Sequence, residues 1–317
     1  MRSRFQSIFV VFLQIFGYVA IAYGLCFGNY AAAATLEGAV EFHVHSAPDV
    51  RERLYDDIEL VQEAAKAKMQ AIVLKNHVTS TADRAILTHK TVPSIEVYGG
   101  IVLNEAVGGI NPKAVEVMAK LGEGRGKIVW LPTIDAAYHR KTFNTGKGGL
   151  RVTRGDRLLS QTKSILEFIA ENNLVLGTGD VSPKEVLVVV HGAKQLGVEK
   201  ILVTHAMATV PGLTLEQMQI LADQGAFLEI TYSNTLAGKN ADEADHDAWE
   251  NVPFDAMVTA IKTIGAEHFV LSTDLGRSQA PSPIEGYQAF LDQLETAGIS
   301  ETDLQLMSHT NPLNLLS

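Results

Sequence analysis

Eight short runs of apolar and β-branched residues recur along the chain, at 39–46, 71–77, 96–104, 127–135, 174–181, 200–206, 226–234 and 269–274. Segments of helical character separate them. Ile58, Val61 and Ala65 fall at helical spacing between the first two runs. Asn111 before Pro112 reads as an N-cap followed by a first-turn proline. Ser182-Pro183-Lys184-Glu185 predicts a capping box, and Thr214 with Gln217 predicts another. Strand and helix alternating eight times imply parallel βαβ units. The fold class expected is α/β, a single-domain (β/α)8 barrel of the TIM type over residues 35–317. A doubly wound open sheet is the alternative. The roughly 280 residues available fit the ~250-residue norm of such a barrel.

Two connections are long, and both follow strands, so in a barrel both lie at the catalytic mouth. Residues 136–157 hold six basic side chains, Arg140, Lys141, Lys147, Arg151, Arg154 and Arg157. Residues 236–252 are acidic, with Asp242, Glu243, Asp245 and Asp247. Connections of this length are expected to be lids or binding loops, or else mobile surface.

The beginning of the chain has a different pattern. Arg2 and Arg4 precede a long apolar stretch over 8–27, and Ala31-Ala32-Ala33-Ala34 supplies the small residues that a signal peptidase accepts. Residues 1–34 therefore read as a signal peptide, with export to the periplasm or secretion as the consequence. An uncleaved membrane anchor is the competing reading, because the stretch approaches the ~20 residues that span a bilayer. Cleavage would leave no stable membrane contact. It would also remove Cys26, the single cysteine, which excludes disulfide and thiolate chemistry from the body.

Composition narrows the function classes. The chain has 317 residues, 46% hydrophobic and 20% charged, so a folded globular body is expected. The net charge of −10 argues against nucleic acid as a partner, since neutralising phosphates needs a basic face. The expected partner is a small-molecule substrate, and a homo-oligomer is left open.

The chemistry gathers at the ends of the runs. In Glu41-Phe42-His43-Val44-His45, alternation along a strand aims His43 and His45 to one side. Two neutral imidazoles side by side suit a divalent ion such as zinc. Later runs close with Lys75-Asn76-His77, Thr178-Gly179-Asp180, Thr204-His205 and Thr273-Asp274. A barrel brings those ends to one rim. Lys75 and His77 face the same way on their strand. Lys75 is a clamp for a developing oxyanion, a carboxylated metal bridge, or the ion-pair partner of Glu41 or Glu105. His77 reads as a ligand or proton shuttle. His139, Glu105 and Arg151 follow other strands and are candidate substrate contacts, with a surface position for His139 equally compatible. His89, His191, His246, His268 and His309 fall on expected outer helices, in the acidic loop or at the wrong end of a strand. The fragment Gly177-Thr178-Gly179-Asp180 lacks the third glycine of a dinucleotide motif, and Thr145-Gly146-Lys147-Gly148 lacks the spacing of a phosphate loop.

His-x-His on the first strand, a histidine on the sixth and an aspartate on the eighth resemble the amidohydrolase superfamily of metal-dependent hydrolases. The resemblance extends to a poorly characterised amidohydrolase-like family through Ile101-Val102-Leu103-Asn104, Val107-Gly108-Gly109-Ile110-Asn111-Pro112, Trp130-Leu131-Pro132-Thr133 and Asn311-Pro312-Leu313-Asn314-Leu315-Leu316. It implies metal ligands at His43, His45 and His205, and Asp274 as ligand and proton acceptor. In such relatives the fifth strand ends Thr-Gly-His, and the bridging lysine comes from the fourth strand, not the second. Asp180 as a ligand would shift preference from zinc toward manganese or magnesium. Otherwise Asp180 does not bind, and the site has lost a metal or its activity.

The function implied is hydrolysis of an amide, lactone or ester of a small molecule, using one or two divalent ions to activate water. Asp274 would take the proton and return it to the leaving group. The basic residues of 136–157 suggest an anionic group on the substrate. The alternatives are a metal-dependent phosphoesterase and a non-catalytic exported binding barrel. A phosphomonoester assay separates the first from the hydrolase, and metal content separates the second.

Overall fold

A computed structural model describes residues 35–121, 124–238 and 248–317. The leader read in 1–34, the acidic residues Asp242, Glu243, Asp245 and Asp247, and His246 lie outside the described residues.

The first four strands are β1 (Val40–His45), β2 (Ala71–Lys75), β3 (Glu96–Val102) and β4 (Gly126–Trp130). Two short strands follow, β5 (Thr153–Arg154) and β6 (Arg157–Leu158), and then β7 (Val175–Gly177), β8 (Ile201–Val203), β9 (Phe227–Thr231) and β10 (Phe269–Ser272). Eight of them form one parallel sheet in the order β1-β2-β3-β4-β7-β8-β9-β10. The two ends of that order meet. Asp274 N donates to His43 O at 2.8 Å and His45 N donates to Leu275 O at 2.9 Å. The Tyr287 hydroxyl bonds Leu271 O at 3.0 Å and Val40 O at 3.2 Å, tying both edge strands to the helix Pro283–Thr296. The sheet closes as a (β/α)8 barrel, and the open-sheet alternative falls away.

Helices fill the crossovers, and their starts follow the local sequence. The Asn111 side chain accepts from Lys113 N and Ala114 N ahead of Pro112. Ser182 with Glu185, and Thr214 with Gln217, form reciprocal capping boxes, as does Asp56 with Glu59, which periodicity had not singled out. The connection 136–157 is not structureless. It contains the helix Ala137–Phe143 and the antiparallel pair β5 and β6. Among the described residues, no helix is long and apolar enough to cross a membrane.

Inside the barrel, Val40, Phe42, Ala71, Val73, Val102, Ile128, Trp130, Val175, Leu202 and Val270 pack with Leu315 and Leu316 of the last helix, Asn311–Leu316. Full burial of a side chain such as Phe42 or Leu202 contributes about 2 kcal/mol. Asn311 fixes that last helix by donating to Phe269 O at 2.7 Å and Ala266 O at 3.0 Å, beside the start of β10. The apolar plug thus occupies the strand-start end and leaves the opposite end to polar groups.

Candidate functional site

A β-bulge sets the site. β1 pairs with β2 as Val40 with Ala71 and Glu41 with Ile72, then as Val44 with Leu74 and His45 with Lys75. Phe42 and His43 therefore share the single step opposite Val73. Val40 and Phe42 face the apolar interior below the bulge, and beyond it His43 and His45 face inward with Lys75. Glu41 fills the space behind the bulge, accepting from His43 N at 2.9 Å and Thr273 N at 3.1 Å. Burial pushes the Glu41 carboxyl up to about 8, although those backbone hydrogen bonds work the other way.

His43 Nε2 and His45 Nε2 converge on one oxygen of Asp274, Oδ1, at 2.9 and 3.2 Å. The other ring nitrogen of His43, Nδ1, lies 3.2 Å from both oxygens of Glu229 on β9. Glu229 also accepts from His205 N and Ser272 Oγ, each at 2.9 Å, so its carboxylate is fully engaged. Asp274 Oδ2 accepts from Ser233 Oγ at 3.3 Å. Against burial, His43 and His45 hold the Asp274 carboxyl well below the usual carboxylate range.

Lys75 does not pair with Glu41 or Glu105. Its Nζ sits 2.7 Å from His43 Nε2 and above the Trp130 ring, 5.5 Å from its centroid. Burial pushes the Lys75 ammonium down, while Asp274 and Glu229, opposing burial and Lys75, raise His43 to about 9. Lys75 Nζ and His43 Nε2 are close enough to share a hydrogen bond. Burial, reinforced by the Arg53 cation, holds His45 well below the ordinary imidazole range, so its ring is neutral.

A second group stands beside the first. His139 Nδ1 lies 2.7 Å from Asp180 Oδ2, and His205 Nε2 lies 3.3 Å from Asp180 Oδ1. Burial works against the charge on Asp180, but these two histidines outweigh it and hold the carboxyl far below its ordinary value. His139 is buried within the helix Ala137–Phe143, not on a surface loop. His77 stacks on His45 at 4.8 Å between ring centroids, and its Nδ1 lies 2.9 Å from Thr133 Oγ. Asn104 donates to that same Thr133 oxygen at 2.8 Å and to His77 O at 3.0 Å. The segments ending in Asn104 and Thr133 thus serve as the support of His77. Burial, with the Lys75 cation, keeps His77 neutral.

Backbone strain collects at the same rim. His205 and Asp274 adopt φ of 27° and 52°, in the left-handed region that side chains rarely occupy. Gly179 has φ of 62°, and a β-carbon there would meet Leu131 O at 2.3 Å. Gly276 has φ of 129°, and a β-carbon there would meet His45 O at 1.8 Å.

These groups face a cavity of about 290 Å³. Lys75, His77, His139, Asp180, His205 and Asp274 line it, with His43 and His45 buried immediately behind. Glu105 does not reach it: the residue is exposed and ion-paired with Arg140 at 2.9 Å. Arg151 lines a separate surface cleft with Arg154 and Lys184. The six cations of 136–157 do not line the cavity either, although Phe143 and Thr145 from that connection do. Among the described residues its cations are Lys75, Arg51 and Arg277, the last two carried by the loops after β1 and β10. Phe143 and Trp249 form an aromatic wall, stacked at 4.8 Å. Sequence reasoning missed Glu229, although a carboxylate inside the apolar run Phe227-Leu228-Glu229-Ile230 was a visible signal. It also missed Arg51, Arg277 and Trp249. His89, His191 and His309 bond Ile95 O, Gln195 and Gly38 O, away from this site.

The donor set fits a divalent cation. His43, His45 and Asp274 each present a ligand atom, all within 4.8 Å of one another. Glu229 orients His43 from behind, as carboxylates commonly do for metal-binding imidazoles. Asp180 Oδ1, in ion-pair but not hydrogen-bond contact with His205 Nε2, and His205 Nδ1 are buried without a hydrogen-bond partner.

Residues 38–229 match the family described as "Family of unknown function (DUF6282)", and the chain belongs to that family. No curated protein matches the sequence. Solved structures share the fold at low identity. An amidohydrolase from Pseudomonas aeruginosa has 13% identity and a TM-score of 0.60, covering 88% of this chain and 95% of its own. A 2,6-dihydroxybenzoate decarboxylase from Rhizobium has 11% identity and a TM-score of 0.56, covering 88% and 98%. A structure described as dipeptidase AC, a metallo peptidase, has 11% identity and a TM-score of 0.58, covering 88% and 98%. The barrel that the sequence resembles is thereby shown.

Proposed function

We propose that this family member is a metal-dependent hydrolase that cleaves an amide, lactone or ester bond of a small molecule. One observation carries the reading: two imidazole Nε2 atoms meet a single carboxylate oxygen of Asp274, with Glu229 behind one ring. His43, His45 and Asp274 would hold the ion, zinc by its imidazole donors or manganese or magnesium by its carboxylate. A second ion would draw on His205 and Asp180. A divalent ion at such a site acidifies water and polarises a carbonyl.

The chain's own groups do the rest. Glu229 accepts from His43 Nδ1, which leaves Nε2, on the side of Asp274, as the nitrogen that would meet the ion. Asp274, at the cavity wall, accepts the proton of the attacking water on its carboxylate and delivers it to the leaving group. Ser233 steadies the second oxygen of that carboxylate. Lys75 Nζ stands where negative charge develops on the carbonyl oxygen. Phe143 and Trp249 exclude bulk water from one side of the cavity. The apolar leader and its alanine run support export to the periplasm or beyond.

The test is metal content together with turnover on esters, lactones, amides and phosphomonoesters, in the wild type and in Asp274→Asn. Stoichiometric metal and acyl turnover that Asp274→Asn reduces by about 10²-fold or more are expected. Turnover of phosphomonoesters alone would make the protein a phosphoesterase. Release of CO2 from 2,6-dihydroxybenzoate would move it to the chemistry of the Rhizobium enzyme. Neither metal nor turnover would leave a binding barrel.

A further inference from the structure

We infer that His77 is a fixed hydrogen-bond donor: its Nε2 carries the proton and offers it to an acceptor oxygen of the substrate, the carbonyl of the bond to be cut. The inference rests on the hydrolase reading only for which oxygen is polarised. Neither metal ligation nor proton transfer falls to this ring.

The position of the proton follows from a chain of three groups. Asn104 Oδ1 accepts from Thr133 N at 2.9 Å and from Asp135 N at 3.3 Å. Backbone N–H groups only donate, so this end of the amide is its oxygen. The Asn104 Nδ2 therefore donates, to His77 O at 3.0 Å and to Thr133 Oγ at 2.8 Å. Thr133 is fully buried, and the other partner of its hydroxyl among the described residues is His77 Nδ1, at 2.9 Å. A hydroxyl has one proton to give. Asn104 already brings a proton to Thr133 Oγ, so the Thr133 proton goes to His77 Nδ1, which must be bare to receive it. The reverse arrangement would bring two protons to that oxygen and leave its own buried without an acceptor. A ring that accepts at Nδ1 is neutral and holds its proton on Nε2.

With Nδ1 turned to Thr133, Nε2 is the nitrogen that His77 presents to the cavity it lines. Stacking on His45, at 4.8 Å between ring centroids, sets this donor beside the candidate ion site. A protonated nitrogen has no lone pair for an ion, and the bare one is held by Thr133, so His77 stands outside the set of His43, His45 and Asp274. An uncharged donor suits this position. Lys75 and a divalent ion would already bring positive charge to the end of β2, and a further cation there would be repelled. A neutral N–H polarises an oxygen without adding to that charge. The donor is also aimed before any substrate arrives. Thr133 holds the ring and Asn104 holds Thr133, from segments that follow the adjacent strands β2, β3 and β4. Thr133 and Asn104 are positioning residues, and His77 is the group that touches substrate.

Long-range proton–nitrogen NMR spectra of the full chain, labelled at its histidine ring nitrogens, test the inference. The His77 signals are identified by their loss in His77→Gln. Protonated and bare ring nitrogens resonate far apart, so the spectrum reads the tautomer directly. The wild type at neutral pH is expected to show Nε2 protonated and Nδ1 bare. Thr133→Ser is expected to keep that pattern, and Thr133→Val, which preserves shape without the hydroxyl, to replace it with a mixture of tautomers. A proton on Nδ1 in the wild type, alone or together with one on Nε2, would overturn the inference. Benzamide offers a carbonyl oxygen without charge, and its titration is expected to move the Nε2 proton resonance downfield to saturation, whereas toluene leaves it in place. A resonance that benzamide does not move would overturn the assignment of this donor to a ligand oxygen. With p-nitrophenyl acetate, His77→Leu is expected to lower kcat about 10²-fold with little change in KM. His77→Gln keeps an N–H near the place of Nε2 but no basic nitrogen, and is expected to lower kcat less than about tenfold. Equal losses in the two variants would overturn the donor role and make His77 a proton shuttle. Absent turnover with the tautomer and the benzamide shift intact sinks the hydrolase reading alone, and turnover with the proton on Nδ1 sinks this inference alone.

Discussion

His43 Nδ1 lies 3.2 Å from both carboxylate oxygens of Glu229, so the ring that points its Nε2 at Asp274 is steered from the far side of the barrel. Glu229 belongs to β9, is fully buried and does not line the cavity. Its role is to position His43. Glu229→Gln keeps the shape but removes the charge that favours the Nδ1–H tautomer. Metal affinity is expected to fall about 10- to 100-fold, measured by competition with a chromophoric chelator. Unchanged affinity would show that His43 needs no such support.

Asp180 stands between two buried histidines, and Lys75 also acts on it electrostatically. Asp180→Ala leaves both imidazoles buried without their partner, and is expected to cost about 3 kcal/mol in chemical unfolding. Asp180→Asn retains one hydrogen bond and is expected to cost about 1 kcal/mol. A variant as stable as the wild type would mean that this carboxylate is strained in place, held for function at the expense of the fold.

Gly276 lies where the loop after β10 crosses the end of β1. An added β-carbon would fall 1.8 Å from His45 O, on backbone that cannot swing aside, and φ is 129°. Gly276→Ala is expected to displace His45 and to lower both stability, by about 2 kcal/mol or more, and metal affinity. Thermal unfolding and metal titration check the two effects separately. Loss of stability with full metal affinity would show that the loop, and not His45, gives way.

The barrel was legible because its strands are buried on both faces and therefore read as near-continuous apolar runs. The rim was legible for the same reason in reverse: a charge that ends such a run has nowhere to go but the mouth, as with His205 and Asp274. The bulge at Phe42 and His43 was not, since nothing local distinguishes it from plain alternation. Glu229 was hidden by its own burial, being a carboxylate counted as part of a strand. The basic connection misled because charge density along a chain gives a sign without a direction. Arg140 turns to Asp135 and Glu105, while Arg51 and Arg277 reach the cavity from two loops that meet only when the barrel closes.

Metal binding is expected to release a proton and to strengthen as pH rises. Against burial, Asp274 and Glu229 raise the metal-free His43 imidazole to about 9, so at neutral pH its ring carries a proton where the ion would sit. Burial and Arg53 keep His45 neutral well below that pH, so it demands no proton loss. One proton therefore leaves for each ion bound, and the apparent affinity should climb about tenfold per pH unit, flattening near pH 9. Calorimetry in buffers of different ionisation enthalpy measures the proton count directly. An affinity flat between about pH 6.5 and 8.5 would mean that no proton occupies the site, and that His43 Nε2 faces Asp274 as a bare lone pair before the ion arrives.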